Sequence, residues 1–166
     1  MFEVKPHHLY QNKREDLIWY LEEGLRSDLK VYFREQRKFD KGWKLSIQGC
    51  SVEDSIFFID HLYSWFQDEH ISSKIATTKR YKLKERKENV QYYTEQSHKA
   101  LTIYCPNDMD VIELGNIIYE KLSAAGYTGW NDVPAPSGYT LIKGGIYFRN
   151  DRNENGEYIK AIDAKH

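Results

Sequence analysis

The chain has 166 residues, 40% of them hydrophobic and 14% aromatic, which is enough for one domain with a substantial core. Its 24 Lys and Arg against 25 Asp and Glu leave a net charge of −1, which argues against nucleic acid as a partner, since binding a phosphate backbone calls for a strong positive excess. No apolar run of about 18 residues occurs, the start lacks the apolar core of a signal peptide, and two cysteines, Cys50 and Cys105, are too few for a disulfide framework, so a cytoplasmic protein without a membrane partner is expected.

Residues 1–11 carry no period and read as an N-terminal arm. Residues 12–152 read as a single α+β domain, and residues 153–166 as a C-terminal tail or hairpin. Over residues 12–27, Leu17, Ile18, Leu21 and Leu25 recur at helical spacing. Residues 29–34 are rich in strand formers. Residues 43–48 alternate with period two, with Trp43, Leu45 and Ile47 on one face and Lys44, Ser46 and Gln48 on the other. Ser51, with Asp54 three residues on, predicts a helix N-terminus. That helix runs to about residue 68 and buries Val52, Ile56, Ile59, Tyr63 and Phe66. Residues 71–77 are a short strand.

Residues 78–97 are highly polar and predict a mobile loop or ribbon edge. Residues 100–104 are a strand. Asp108 is the expected cap of a helix to residue 125, with Val111, Leu114, Ile118, Leu122 and Ala125 as its apolar stripe and Gly126 as its left-handed C-cap. Residues 139–142 and 145–149 complete the strands. Strands interleaved with two or three packed helices predict a mostly antiparallel sheet covered by helices.

The six histidines show no metal-ligand spacing, and no metal is expected. Cys105 reads as a buried structural cysteine rather than a nucleophile. No Gly-rich phosphate loop is present. Six of the nine residues from Lys79 to Lys87 are basic. This run suits a solvated loop, a grip on an anionic peptide, or a hold on single-stranded nucleic acid. More informative are lone cations in strand positions: Lys44, Lys74, Lys99 and Arg149. They are either exposed strand ends or parts of one anion pocket, because a lysine inside an uncharged strand is costly to bury without a task or partner.

Four segments in order, Gly42-Trp43-Lys44-Leu45-Ser46, Ser73-Lys74-Ile75, His98-Lys99 through Cys105-Pro106, and Gly145-Ile146-Tyr147-Phe148-Arg149, resemble the N-terminal lyase domain of class III and class IV lanthipeptide synthetases. That domain is similar to the phosphothreonine lyases delivered by bacterial type III secretion. Gly129-Trp130-Asn131-Asp132 stands where the family has a Gly-Pro…Asp stretch. The likeness spans about residues 42–152. It implies a phosphothreonine-lyase-like fold and β-elimination of phosphate from a phosphorylated serine or threonine, with no cofactor. The substrate would be a phosphorylated peptide or protein, with a separate kinase as a further partner.

Carried over by position, the resemblance makes Lys74 the base. Lys44 and Tyr104 belong to the catalytic pocket, and Lys44, Lys99, Arg149 and Arg152 bind phosphate. The family's acid is a histidine two residues after the first lysine; this chain has Ser46 there. His98, in place of the family's glycine, is the candidate substitute. Serine cannot replace an imidazolium, and loss of a general acid typically costs about 10²–10⁴-fold in rate. A catalytically degenerate module that binds a phosphopeptide, a leader peptide or another phosphate-bearing ligand without chemistry is therefore the alternative.

Overall fold

The computed structural model describes residues 14–33, 35, 37–152 and 155–158. The predicted arm lies outside them, as does most of the predicted tail. Six strands form one sheet in the order β1-β3-β4-β2-β6-β5, every neighbour antiparallel. They are β1 Asp28–Val31, β2 Trp43–Gln48, β3 Ser73–Ala76, β4 Lys99–Tyr104, β5 Thr140–Lys143 and β6 Ile146–Asn150. The helices are α1 Arg14–Glu23, α2 Val52–Glu69, α3 Thr78–Tyr81, α4 Val90–His98 and α5 Val111–Ala124. The fold is α+β.

Period-two alternation gives the sheet two faces. Leu29, Val31, Leu45, Ile47, Ile75, Leu101, Ile103 and Ile146 are buried in the core. Phe58, Leu62 and Phe66 of α2 and Leu114, Ile118 and Leu122 of α5 pack with them. Each such side chain contributes about 1.5–3 kcal/mol relative to an exposed one. On the opposite face Lys74, Thr102 and Ser46 stand side by side across β3, β4 and β2. Next to them Tyr104, Lys44 and Arg149 align across β4, β2 and β6.

Helix boundaries depart from expectation in instructive ways. α1 stops at Glu23, so Leu25 is exposed and not buried. The buried stripe of α2 is Ser55, Phe58, Ile59, Leu62 and Phe66; Val52, Ile56 and Tyr63 only flank the core. Ser51 makes no side-chain cap. Instead the Asp54 carboxylate accepts the Cys50 N–H at 2.7 Å. α5 is capped by Asp110, not Asp108: its carboxylate accepts the Glu113 N–H at 2.9 Å. Gly126 does take the left-handed conformation, at φ +94°, and the Tyr127 N–H bonds back to the Leu122 carbonyl at 3.0 Å.

The largest correction concerns residues 78–97. They are not a mobile loop but α3, a 3₁₀ turn at Lys82–Glu85, and α4. At the start of the segment three polar side chains bond to backbone carbonyls. Thr77 Oγ1 donates to the Arg26 carbonyl, Thr78 Oγ1 to Leu21 and Lys79 Nζ to Leu25, satisfying carbonyls at and beyond the end of α1. Tyr81 is buried and donates to Ser55 Oγ at 2.6 Å, which in turn donates to the Ala76 carbonyl at 2.8 Å. The segment is thereby clamped over one end of the sheet.

Candidate functional site

The polar face of the sheet opens into a cavity of about 660 Å³. Its floor is Lys44 of β2, Lys74 of β3, and Lys99 and Thr102 of β4. One wall is α3 and α4, with Arg80, Tyr92 and Glu95; another is the connection ahead of β5, with Ser137 and Tyr139. Four lining residues are cations and one, Glu95, is a carboxylate.

Lys99 reaches this cavity because the ladder is irregular. Ile47 pairs with Leu101, yet Gln48 pairs with Lys99, so β4 carries one extra residue there. Strict alternation from Leu101 and Ile103 would put Lys99 on the apolar face, and the irregularity turns it to the polar one. Tyr139 then gathers the charges. Lys99 Nζ lies 5.3 Å from its ring centroid, Lys44 Nζ 5.8 Å and the Arg149 guanidinium carbon 5.8 Å.

Two carboxylates sit at the edges of the cluster. Asp28 lies 3.5 Å from Arg80, 3.6 Å from Arg26 and 4.0 Å from Lys74. Asp151 lies 3.1 Å from Lys44 and 3.1 Å from Arg149 Nε. They do not cancel the cost of crowding cations away from water. Burial, then repulsion from Arg80, brings the Lys74 pKa down to about 8. Burial, then repulsion from Lys44, brings Lys99 down to about 8 as well. Lys44 is lowered by burial, with Asp151 opposing the change. The Tyr139 and Tyr104 hydroxyls are held well above their ordinary value, first by burial, and so stay protonated.

The loop carrying Tyr139 is pinned at both ends of its approach. Gln48, fully buried, donates from Nε2 to the Pro134 carbonyl at 3.0 Å and accepts at Oε1 from Ser46 Oγ at 2.8 Å. Ser137 Oγ donates to the Glu95 carboxylate, which ties the loop to α4.

Of the residues singled out in the sequence, Lys44, Lys74 and Lys99 share the cavity. Arg149 is buried behind it, 4% exposed, and works against Asp151 and the Tyr139 ring rather than at the surface of the cavity. Tyr104 and Arg152 line an adjoining cavity instead. Neither acid candidate lines the cavity. Ser46 is fully buried and occupied with Gln48, while His98 Nδ1 lies 2.8 Å from the Thr94 carbonyl at the end of α4.

Sequence reasoning missed Asp28, Arg80, Thr102 and Tyr139. Arg80 carried a signal as part of the basic run, and Thr102 as a member of the segment from His98 to Pro106. Cys105 is buried, which lifts its thiol pKa to about 11 and suits a structural role. Among the described residues no group of three or more His, Cys, Asp or Glu is placed to hold a metal, and no helix is long and apolar enough to cross a membrane.

The chain matches no protein-family pattern, and no curated protein sequence matches it.

Proposed function

We propose that this cavity receives the phosphate monoester of a phosphorylated serine or threonine in a peptide or protein, supplied by a separate kinase, and that the protein eliminates phosphate from it. One observation carries the reading: three lysines from three strands and Arg80 converge on one concavity with a single carboxylate in its lining, and one of those lysines, Lys74, has its proton affinity reduced to about 8. A doubly charged phosphate suits such a lining, and charge-assisted hydrogen bonds from ammonium and guanidinium groups are about twice as strong as neutral ones. The likeness of the strand segments to phosphothreonine-lyase-like domains points the same way.

The chemistry follows from these groups. Lys44, Lys99 and Arg80 hold the phosphate. The neutral amine of Lys74, about a tenth of the population at pH 7 for a pKa near 8, takes the Cα proton. The released electron pair forms the Cα–Cβ double bond, and the Cβ–O bond breaks with its pair going to the phosphate. The Lys99 ammonium donates a proton to the departing oxygen in place of the missing histidine. Products are a dehydrated residue and inorganic phosphate; Lys74 then returns its proton to solvent and Lys99 regains one.

A second reading is a binding module on the same fold. It is favoured by Ser46, bonded to Gln48 at the family's acid position, and by Asp151, which engages Lys44. A phosphothreonine peptide incubated with the protein separates the two. Loss of the elements of phosphoric acid by mass spectrometry, abolished in Lys74→Ala, supports elimination. Binding without mass loss supports the module. Absence of both overturns the proposal.

A further inference from the structure

A second cavity, about 420 Å³, adjoins the first and shares Lys44 and Tyr158 with it as a common wall. Its character differs. Phe39, Trp43 and Tyr104 line it, with the Phe39 and Tyr104 ring centroids 5.3 Å apart. Trp43 opens β2 with 38% of its surface exposed, a large ring left in water at the cavity's edge.

Several of the charged groups that line this cavity are already held by partners. Arg37 pairs with Glu69 at 2.9 Å and with Asp108. Lys44 pairs with Asp151, and Arg152 Nη1 donates to the Gly156 carbonyl at 3.3 Å. Asp40 accepts from Asn107, and its carboxyl is held below its ordinary range by that bond first and by nearby Lys38 and Arg152 to a lesser degree. A second phosphate drawing on Arg37, Lys44 or Arg152 would have to break these contacts; an apolar group would not.

We infer that this second cavity takes an uncharged aromatic or large aliphatic side chain of the same peptide, close in sequence to the phosphorylated residue. The inference rests on the phosphate reading above and adds the substrate class: a phosphorylated residue with a bulky apolar neighbour. The Lys44–Tyr158 wall between the cavities sets the spacing of the two anchors. An extended peptide advances about 3.3 Å per residue with side chains alternating in direction, so only a narrow choice of positions serves both cavities.

The test is a set of phosphothreonine peptides of equal length. One has glycine and serine flanks, and each of the others has a single phenylalanine moved through the four positions on either side. Affinity for the full chain is read by fluorescence anisotropy. One or two positions are expected to bind about tenfold or more tightly than the glycine-flanked peptide. In Trp43→Ser, and independently in Phe39→Ala, that ratio falls toward one. Tyr158→Ala, at a site 60% exposed, gives a third variant with little bearing on folding. Equal affinity at every position, or a ratio unchanged in all three variants, overturns the inference while leaving the phosphate reading intact. Failure of every peptide, the glycine-flanked one included, overturns both.

Discussion

Asp151, one residue past the end of β6, sets one carboxylate oxygen 3.1 Å from the ammonium of Lys44 and the other 3.1 Å from Arg149 Nε. It stands where an incoming anion would draw on the same charges. Asp151→Asn keeps the shape and removes the competitor. Inorganic phosphate and phosphothreonine peptides should then bind about tenfold more tightly at low salt, measured by calorimetry. Unchanged or weaker binding would show that the carboxylate organises the cations instead of competing for them.

The two lysines near 8 fix the pH behaviour. In the unfolded chain both titrate near 10.5. Between about 8 and 10.5 the unfolded state holds more protons than the folded one, so stability rises with pH across that window, and below it the full cost of two half-buried charges is present. Anion binding runs the other way. It favours the charged lysines, strengthens as pH falls through 8 and takes up protons near pH 8. Calorimetry in buffers of different ionisation enthalpy would detect the uptake, and a pH-independent affinity would contradict it.

Lys74→Met separates stability from activity. The substitution removes a half-buried ammonium 4.0 Å from its carboxylate and leaves Asp28 paired with Arg80 and Arg26. Urea unfolding at pH 7 should show a gain of roughly 1–3 kcal/mol. Elimination should be lost in the same variant. A destabilised protein would mean that Lys74 is a structural cation.

A histidine placed at position 46 should not speed elimination. Ser46 has no exposed surface, and its hydroxyl completes the bond to Gln48 that steadies the Pro134 carbonyl. Ser46→His forces an imidazole into that space and is expected to cost about 1–3 kcal/mol by thermal or urea unfolding. A stable Ser46→His protein with faster elimination would show that the pocket accommodates the ring and that Lys99 is not the acid.

What could be read in the sequence and what could not divides along physical lines. β2 declares itself by alternation, and Lys44 and Lys74 by being charged where their strands are otherwise neutral. Those are local signals. Asp28, Arg80 and Tyr139 enter the site only through sheet order and the packing of α3, which no spacing encodes. Residues 78–97 look solvated because they are polar, yet Thr77, Thr78 and Lys79 spend that polarity on the open carbonyls around the end of α1. Position 149 illustrates a further limit: the sequence reads as a strand carrying a lone cation but says nothing of how deep the guanidinium lies.

β2 is hydrogen-bonded along both edges, to β4 and to β6, and it carries Lys44. Its amides are therefore expected to be among the last to exchange with deuterium, opening only with the whole domain, whereas α4 and residues 133–139 open by local fluctuation. Ligand occupancy should register as slowed exchange in those surrounding segments and leave the central strand almost unchanged, so the element bearing the charge is the least informative place to look for the bound state.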